Sequence, residues 1–341
     1  MNNIIKTWWK WLKYGPDDPR FDAGGDVKIA VIGGGTGLST LLRGLKQYSN
    51  KITAVVTVAD DGASSGILRR EFDILPPGDI RQCISALSYD EKLISGILEY
   101  RFSKSNKSFG GHTLGNIWIT ALSNHLGSFE RALEATTAIF QTAGRVLPAT
   151  LEKIELCAEF ENGTVIKGES KLKAGKKIAK VFLNKKGVRA YKEAVLAIKS
   201  ADLIILGPGS LFTSVIPNIL ISGVREAVSA NSKAVRVFVA NCSTEVGETE
   251  NYTIDDHIKA LNAHAGKRIF DYCLVNSKVL KESRITERIG EINNITTNKS
   301  VISEVKIKRA DVVNSAKPLY HDPQKLAKAL ISLYNDNRKS K

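Results

Sequence analysis

The 341-residue sequence predicts an α/β protein built on an open, mostly parallel sheet flanked by helices, with a small antiparallel β excursion. Three observations carry that expectation. Short apolar, β-branched runs alternate with stretches of helical period, and each run leads into a cluster of Gly, Ser, Thr, Asp or Asn before the next helix. One block, at about 150–190, changes instead to the pattern of a hairpin. In an open parallel sheet the carboxyl ends of the strands share one edge, and ligands bind there.

The first unit organises the rest. Lys28 to Ile32 reads as a buried parallel strand, followed at once by Gly33, Gly34, Gly35, Thr36 and Gly37. Leu38, Leu41, Leu42 and Leu45 then recur at helical spacing on one face. Glycines between a strand's end and a helix's start let the backbone approach an anion, and first-turn N–H groups and the helix dipole favour negative charge there. The spacing is not that of a dinucleotide fingerprint, which would need glycine at Leu38 or Thr40, nor of a P-loop. A phosphate site and a ligand-free tight turn are the two readings.

Ile52 to Val58 is the second strand, running into Asp60, Asp61, Gly62, Ala63, Ser64 and Ser65. Carboxylates at that edge suit a ribose hydroxyl, a divalent metal or a general base, or else helix capping. Pro76-Pro77-Gly78-Asp79 opens another helix and sets Arg81 in its first turn, where a cation opposes the dipole and needs an anionic partner, either a ligand or an internal carboxylate. His112 and Asn116, after Gly110-Gly111 and around the start of an apolar helix, are a further pair of candidate contacts. Phe129 to Phe140 reads as a helix ended by Gly144.

After the hairpin, with its Asn162-Gly163 turn, the opening pattern returns. Asp202 to Leu206 is a strand, and Gly207, Pro208, Gly209, Ser210, Thr213 and Ser214 form a second glycine and hydroxyl loop. A strand at Val235–Ala240 leads to the polar loop from Asn241 to Glu250, then a helix from Thr253 to His264 and a strand at Tyr272–Val275. Ser303–Ile307 reads as a strand and Pro323–Tyr334 as the final helix.

With 43% hydrophobic residues the chain is large enough for a sizeable core, and no apolar run approaches the ~20 residues that span a bilayer. Cys83, Cys157, Cys242 and Cys273 are far apart, which argues for reduced, buried thiols rather than a zinc site or disulfides. The expected location is cytoplasmic. The net charge of +14 is scattered, and the densest basic stretch, Lys167 to Arg189, lacks interleaved aromatics, so a solvated face is expected rather than a nucleic-acid groove. A leader, 1–26, carries Ile4, Ile5, Trp8, Trp9 and Leu12 on one helical face among lysines; it suits weak membrane contact or docking on protein. The expected domain is 27–335, and 336–341 is expected to be a disordered basic tail.

Taken in order, GGGTG with LSTLLRGLK, VTVADDGASSG, PPGDIR, GGHTLGN, GPGSLFTSVIPNIL, TEVGET and DDHIKALN resemble the YvcK-type gluconeogenesis factors, relatives of the CofD-type 2-phospho-L-lactate transferases. The resemblance covers about Lys28 to Tyr334. It implies a Rossmann-like sheet, UDP-N-acetylglucosamine as ligand, and NAD accommodated in the same crevice. It also implies a regulatory role linking carbon flow to cell-wall precursor synthesis and cell shape. By motif, Thr36 and its glycines would hold phosphates, Asp60, Asp61 and Arg81 would line the site, Tyr252 would contact the sugar nucleotide, and Arg309 would be its partner. Ala63 stands where the family usually has glycine, and Val246 where it has proline.

The leading reading is a sugar-nucleotide sensor without a catalytic residue, working through a protein partner and as a homo-oligomer. The alternative is a CofD-like transferase in which Mg held by Asp60 or Asp61 would bridge phosphates. A nicotinamide-dependent oxidoreductase ranks last, because the fingerprint is broken.

Overall fold

The computed structural model describes residues 26–172, 177–278 and 305–338. The leader up to residue 25 and the tail from 339 lie outside the described residues.

Ten strands and eleven helices lie among the described residues. The strands are β1 (Ile29–Gly33), β2 (Ile52–Val56), β3 (Gly144–Pro148), β4 (Leu156–Phe160), β5 (Val165–Lys167), β6 (Ile178–Leu183), β7 (Leu203–Leu206), β8 (Val235–Val239), β9 (Tyr272–Asn276) and β10 (Lys306–Ala310). The helices are α1 (Gly35–Leu45), α2 (Ala63–Glu71), α3 (Gly78–Leu87), α4 (Glu91–Leu98), α5 (Leu114–Leu126), α6 (Phe129–Ile139), α7 (Lys192–Ser200), α8 (Ile216–Ile219), α9 (Ser222–Ala230), α10 (Ile254–Ala265) and α11 (Pro323–Arg338).

Seven strands make one sheet in the order β10-β9-β8-β7-β1-β2-β3, parallel at every pairing, and β5-β4-β6 form a separate antiparallel sheet. The chain steps outward from β1 to β3, then returns to β7 on β1's other side. The order therefore reverses between β1 and β7, the switch point where an open α/β sheet leaves a crevice. β1 and β7 are buried along their whole length, as their unbroken apolar runs require. Leu38, Leu41, Leu42 and Leu45 of α1 are fully buried, each worth about 1.5–3 kcal/mol of burial. α1 packs against α3 and α11, while α7, α8 and α9 form a second group.

Some elements depart from expectation. Gly144 does not end a helix but starts β3, a strand whose glycine and Pro148 are tolerated because it is the sheet's outer edge. β10 runs from Lys306 to Ala310; Ser303 and Glu304, where that strand was expected to start, lie outside the described residues. The last helix continues through Arg338, so residues 336–338 of the expected tail are helical; Asn337 accepts from the Tyr272 hydroxyl, which anchors that extra turn to β9. The hairpin turn is where it was expected, with Gly163 at φ +77°. All four cysteines are buried and free. Among the described residues no single helix is long and apolar enough to cross a membrane.

A candidate ligand cleft at the sheet's switch point

The glycine loops after β1 and β7 meet. Gly34 caps α1 with no side-chain cap, and Gly35 takes φ +65°. A Cβ on Gly37 would stand 2.7 Å from the Pro208 carbonyl oxygen, so only glycine lets the two loops touch. Around them opens a cleft of about 430 Å³. Gly34, Gly35, Thr36, Gly37, Gly209, Ser210, Ser214 and Asn241, all expected at the site, line it. Gly33 and Gly207 sit just behind, at the strand ends.

The first anion in this loop is internal. Gly35 N–H donates to Asp79 Oδ2 at 2.8 Å, so one amide expected to face phosphate is already engaged. Burial, and then the neighbouring charge of Asp60, push the Asp79 carboxyl up to about 6. The amides of Thr36 and Gly37, in the first turn, have no intrahelical partner. Across the cleft, Ser210 Oγ donates to Glu245 Oε2 at 2.5 Å and Asn241 Nδ2 to Glu245 Oε1 at 2.7 Å. Ser210 is thus bound to a carboxylate instead of being held ready for phosphate. Thr213 does not line the cleft: it is buried and donates to Glu248 at 3.1 Å.

Asp60 lies at the same sheet edge outside the cleft lining, and its charge acts on Asp79. Its Oδ1 accepts from Gly62 N–H at 2.9 Å, Ser65 donates to the same carboxylate, and burial raises its pKa. Burial, then the charges of Asp60 and Asp79, hold Glu169 well above the usual carboxylate range. Asp61 points elsewhere, because its Oδ1 accepts from Ser170 N–H at 2.8 Å and ties the antiparallel excursion to the main sheet.

Arg81 does not line the cleft. It is 4% exposed, pairs with Glu99, and donates from Nε to Asn116 Oδ1 at 2.9 Å. Asn116 Nδ2 in turn donates to Ser64 Oγ at 3.0 Å, which stands 2.9 Å from His112 Nδ1. These residues, expected as ligand contacts, form an internal polar chain that fastens α2, α3 and α5 together. The cation opposing α3's dipole found an internal carboxylate. Tyr252 also stands outside the cleft lining, its ring edge-on to Phe212 at 6.1 Å and to His257 at 5.5 Å. Arg309 lies exposed on β10, at the far edge of the sheet.

Sequence reasoning missed part of the cleft wall: Cys242–Val246 and Leu319–His321. The first follows Asn241 directly and was readable as part of its loop. The second, between β10 and α11, has no glycine signature and comes close only through the fold.

A wholly parallel sheet whose switch-point loops enclose a polar cleft defines a Rossmann-like α/β protein. The family model for the 2-phospho-L-lactate transferase CofD matches residues 29–332. A gluconeogenesis factor of Bacillus subtilis is 42% identical over 316 residues, spanning 91% of this chain and 98% of the relative. One from Halalkalibacterium halodurans is 45% identical over 256 residues, 75% of this chain and 79% of the relative. The crystal structure of a UPF0052 family member from Bacillus halodurans superposes with a TM-score of 0.83 at 38% identity, covering 89% of this chain and 99% of that one. The chain belongs to the gluconeogenesis factor family, within the wider CofD group.

Proposed function

We propose that this chain is a cytoplasmic regulatory protein that binds a sugar nucleotide of the UDP-N-acetylglucosamine class in the switch-point cleft, linking carbon metabolism to cell-wall precursor supply and cell shape. One observation supports this reading above the others: two glycine loops far apart in sequence meet in one cleft with helix-start amides on one side and hydroxyl-bonding Glu245 on the other. Amides at a helix start suit a diphosphate, and a carboxylate suits sugar hydroxyls. A binding role in preference to catalysis is supported by the cleft's nucleophiles. Burial raises the Cys242 thiol to about 12, and Ser210 is committed as donor to a carboxylate. NAD would share the same cleft, and the signal would pass to a protein partner in amino-sugar or cell-wall synthesis.

Calorimetric titration tests this reading. UDP-N-acetylglucosamine should bind with and without magnesium, NAD should compete, and no product should form over hours. Absence of binding would end the proposal.

One observation favours the transferase alternative, the grouping of Asp60, Asp79 and Glu169 beside the glycine loop. Yet among the described residues no three His, Cys, Asp or Glu side chains stand where they would hold a metal ion, and Asp61 is committed to Ser170. The residues as placed do not fit a metal site. Metal-dependent turnover in the same titration would reverse the ranking.

A further inference from the structure

A second concavity, of about 290 Å³, opens on the seam between α2 and the antiparallel excursion. Its lining shares no residue with the switch-point cleft and contains no apolar side chain. Four cations face it: Arg69 and Arg70 from the last turn of α2, Lys167 from the end of β5, and Lys171 from the 3₁₀ turn at Glu169–Lys171. The dipole of α2 accounts for the two arginines at its end, but not for the two lysines that a separate unit brings to the same concavity. Arg69 is held by carbonyls, donating to Ile154 at 2.6 Å and to Asp60 at 3.4 Å. Among the described residues the side chains of Arg70, Lys167 and Lys171 make no ion pair or hydrogen bond, and all three are exposed. The two carboxylates of the lining are engaged elsewhere: Asp61 Oδ1 accepts from Ser170 N–H at 2.8 Å, and Glu155 Oε2 from Asn184 Nδ2 at 3.3 Å. The concavity is also braced. Gly168, at φ +98°, packs so closely on Asp61 that a Cβ there has no room, and this contact and the Ser170 bond fix the lysine-bearing turn against α2.

We propose that this seam is a second ligand site, one that takes a compact phosphate dianion, free or as the ester of a small polyol or sugar. Like charges converging on one small space repel, and an anion seated among them removes that repulsion. Guanidinium and ammonium donors arriving from two sides suit the several oxygens of a tetrahedral phosphate. The volume sits at the lower end of the ~300–1,000 Å³ of ligand pockets, so the occupant is small. With no aromatic or aliphatic wall there is nothing for a base to stack on, which sets the seam apart from a nucleotide or single-strand site. A bound dianion would bridge α2 and the excursion.

The experiment titrates the full chain and its Arg70→Gln and Lys171→Gln variants with inorganic phosphate, glucose 6-phosphate and glucose, at constant ionic strength. Either phosphate probe should bind the wild type and raise its Tm, with glucose inert. Both variants should weaken that binding about tenfold, as expected for one charge-assisted hydrogen bond. Without phosphate, Lys171→Gln should be at least as stable as the wild type, because one of the crowded charges is gone. Inorganic phosphate binding as tightly as glucose 6-phosphate identifies the free ion as the ligand, and weaker binding identifies an ester. Amine labelling of the wild type read by peptide mass spectrometry locates the site: the phosphate probe should protect Lys167 and Lys171 several-fold and leave the exposed Lys186 unchanged. Failure of both phosphate probes to bind, binding that neither variant weakens, or unprotected Lys167 and Lys171 overturns the proposal. None of these outcomes bears on the sugar-nucleotide reading of the other cleft, which its own titration decides.

Discussion

Asp79 accepts from the Gly35 amide at 2.8 Å, setting a carboxylate of α3 against the helix start that forms the floor of the cleft. A Cβ on Gly34 would stand 2.6 Å from the same carboxylate oxygen, so the loop is shaped around this side chain as well as around the cleft.

Asp79 therefore governs a pH dependence. Burial pushes its carboxyl up to about 6, above the 3.8 of an unperturbed aspartate, so the native state binds the proton more tightly than the unfolded chain. Its contribution is fully present below pH ~4 and is lost as pH rises through ~6, a difference of about 2–3 kcal/mol. Asp79→Asn keeps an acceptor for Gly35 without the buried charge. It should be more stable than wild type at pH 8 and level with it near pH 4, as read by urea unfolding across that range.

Arg81→Ala should cost about 3 kcal/mol of stability, because it leaves Asn116 and Glu99 without their buried partner. Affinity for UDP-N-acetylglucosamine should stay within about twofold of wild type, since the residue does not reach the cleft. Unfolding and calorimetry on one preparation check both; a large affinity loss with unchanged stability would return Arg81 to the ligand site.

Gly37→Ala should separate the two loops. The added carbon meets the Pro208 carbonyl oxygen at 2.7 Å and its carbon at 2.9 Å, both backbone atoms that cannot swing aside. Ligand affinity should fall at least tenfold, with a stability loss of about 1–3 kcal/mol.

Ala63 sits at φ +38°, in the left-handed region that favours glycine. Ala63→Gly should gain up to about 1 kcal/mol in urea unfolding: relieved strain of ~1–2 kcal/mol exceeds the ~0.4–1 kcal/mol of added unfolded-state entropy.

The sequence made the sheet and its binding edge legible because parallel strands buried on both faces leave long apolar runs, and loops that approach each other closely leave glycines. Glu245 was legible only as part of the polar loop that follows Asn241, and Leu319–His321 was not legible, since nothing local marks a segment that joins the cleft only through the fold. Arg81 was readable as needing an anion, and only the contact with Glu99 settles which one. β3 was hidden for a related reason, as an edge strand is free to carry the glycine and proline that disguise it.

The antiparallel excursion lies on the long passage from β3 to β7, the one stretch of chain that joins the two halves of the sheet. It is fastened to both: Ser170 N–H donates to Asp61 beyond β2, and Val181 N–H donates at 3.0 Å to His264 Nε2 on α10, beyond β8. A hinge that swung one half away from the other would have to break one of these bonds. The excursion thus acts as a brace laid across the seam between the two halves, adding to the ladder bonds that already hold β1 and β7 edge to edge.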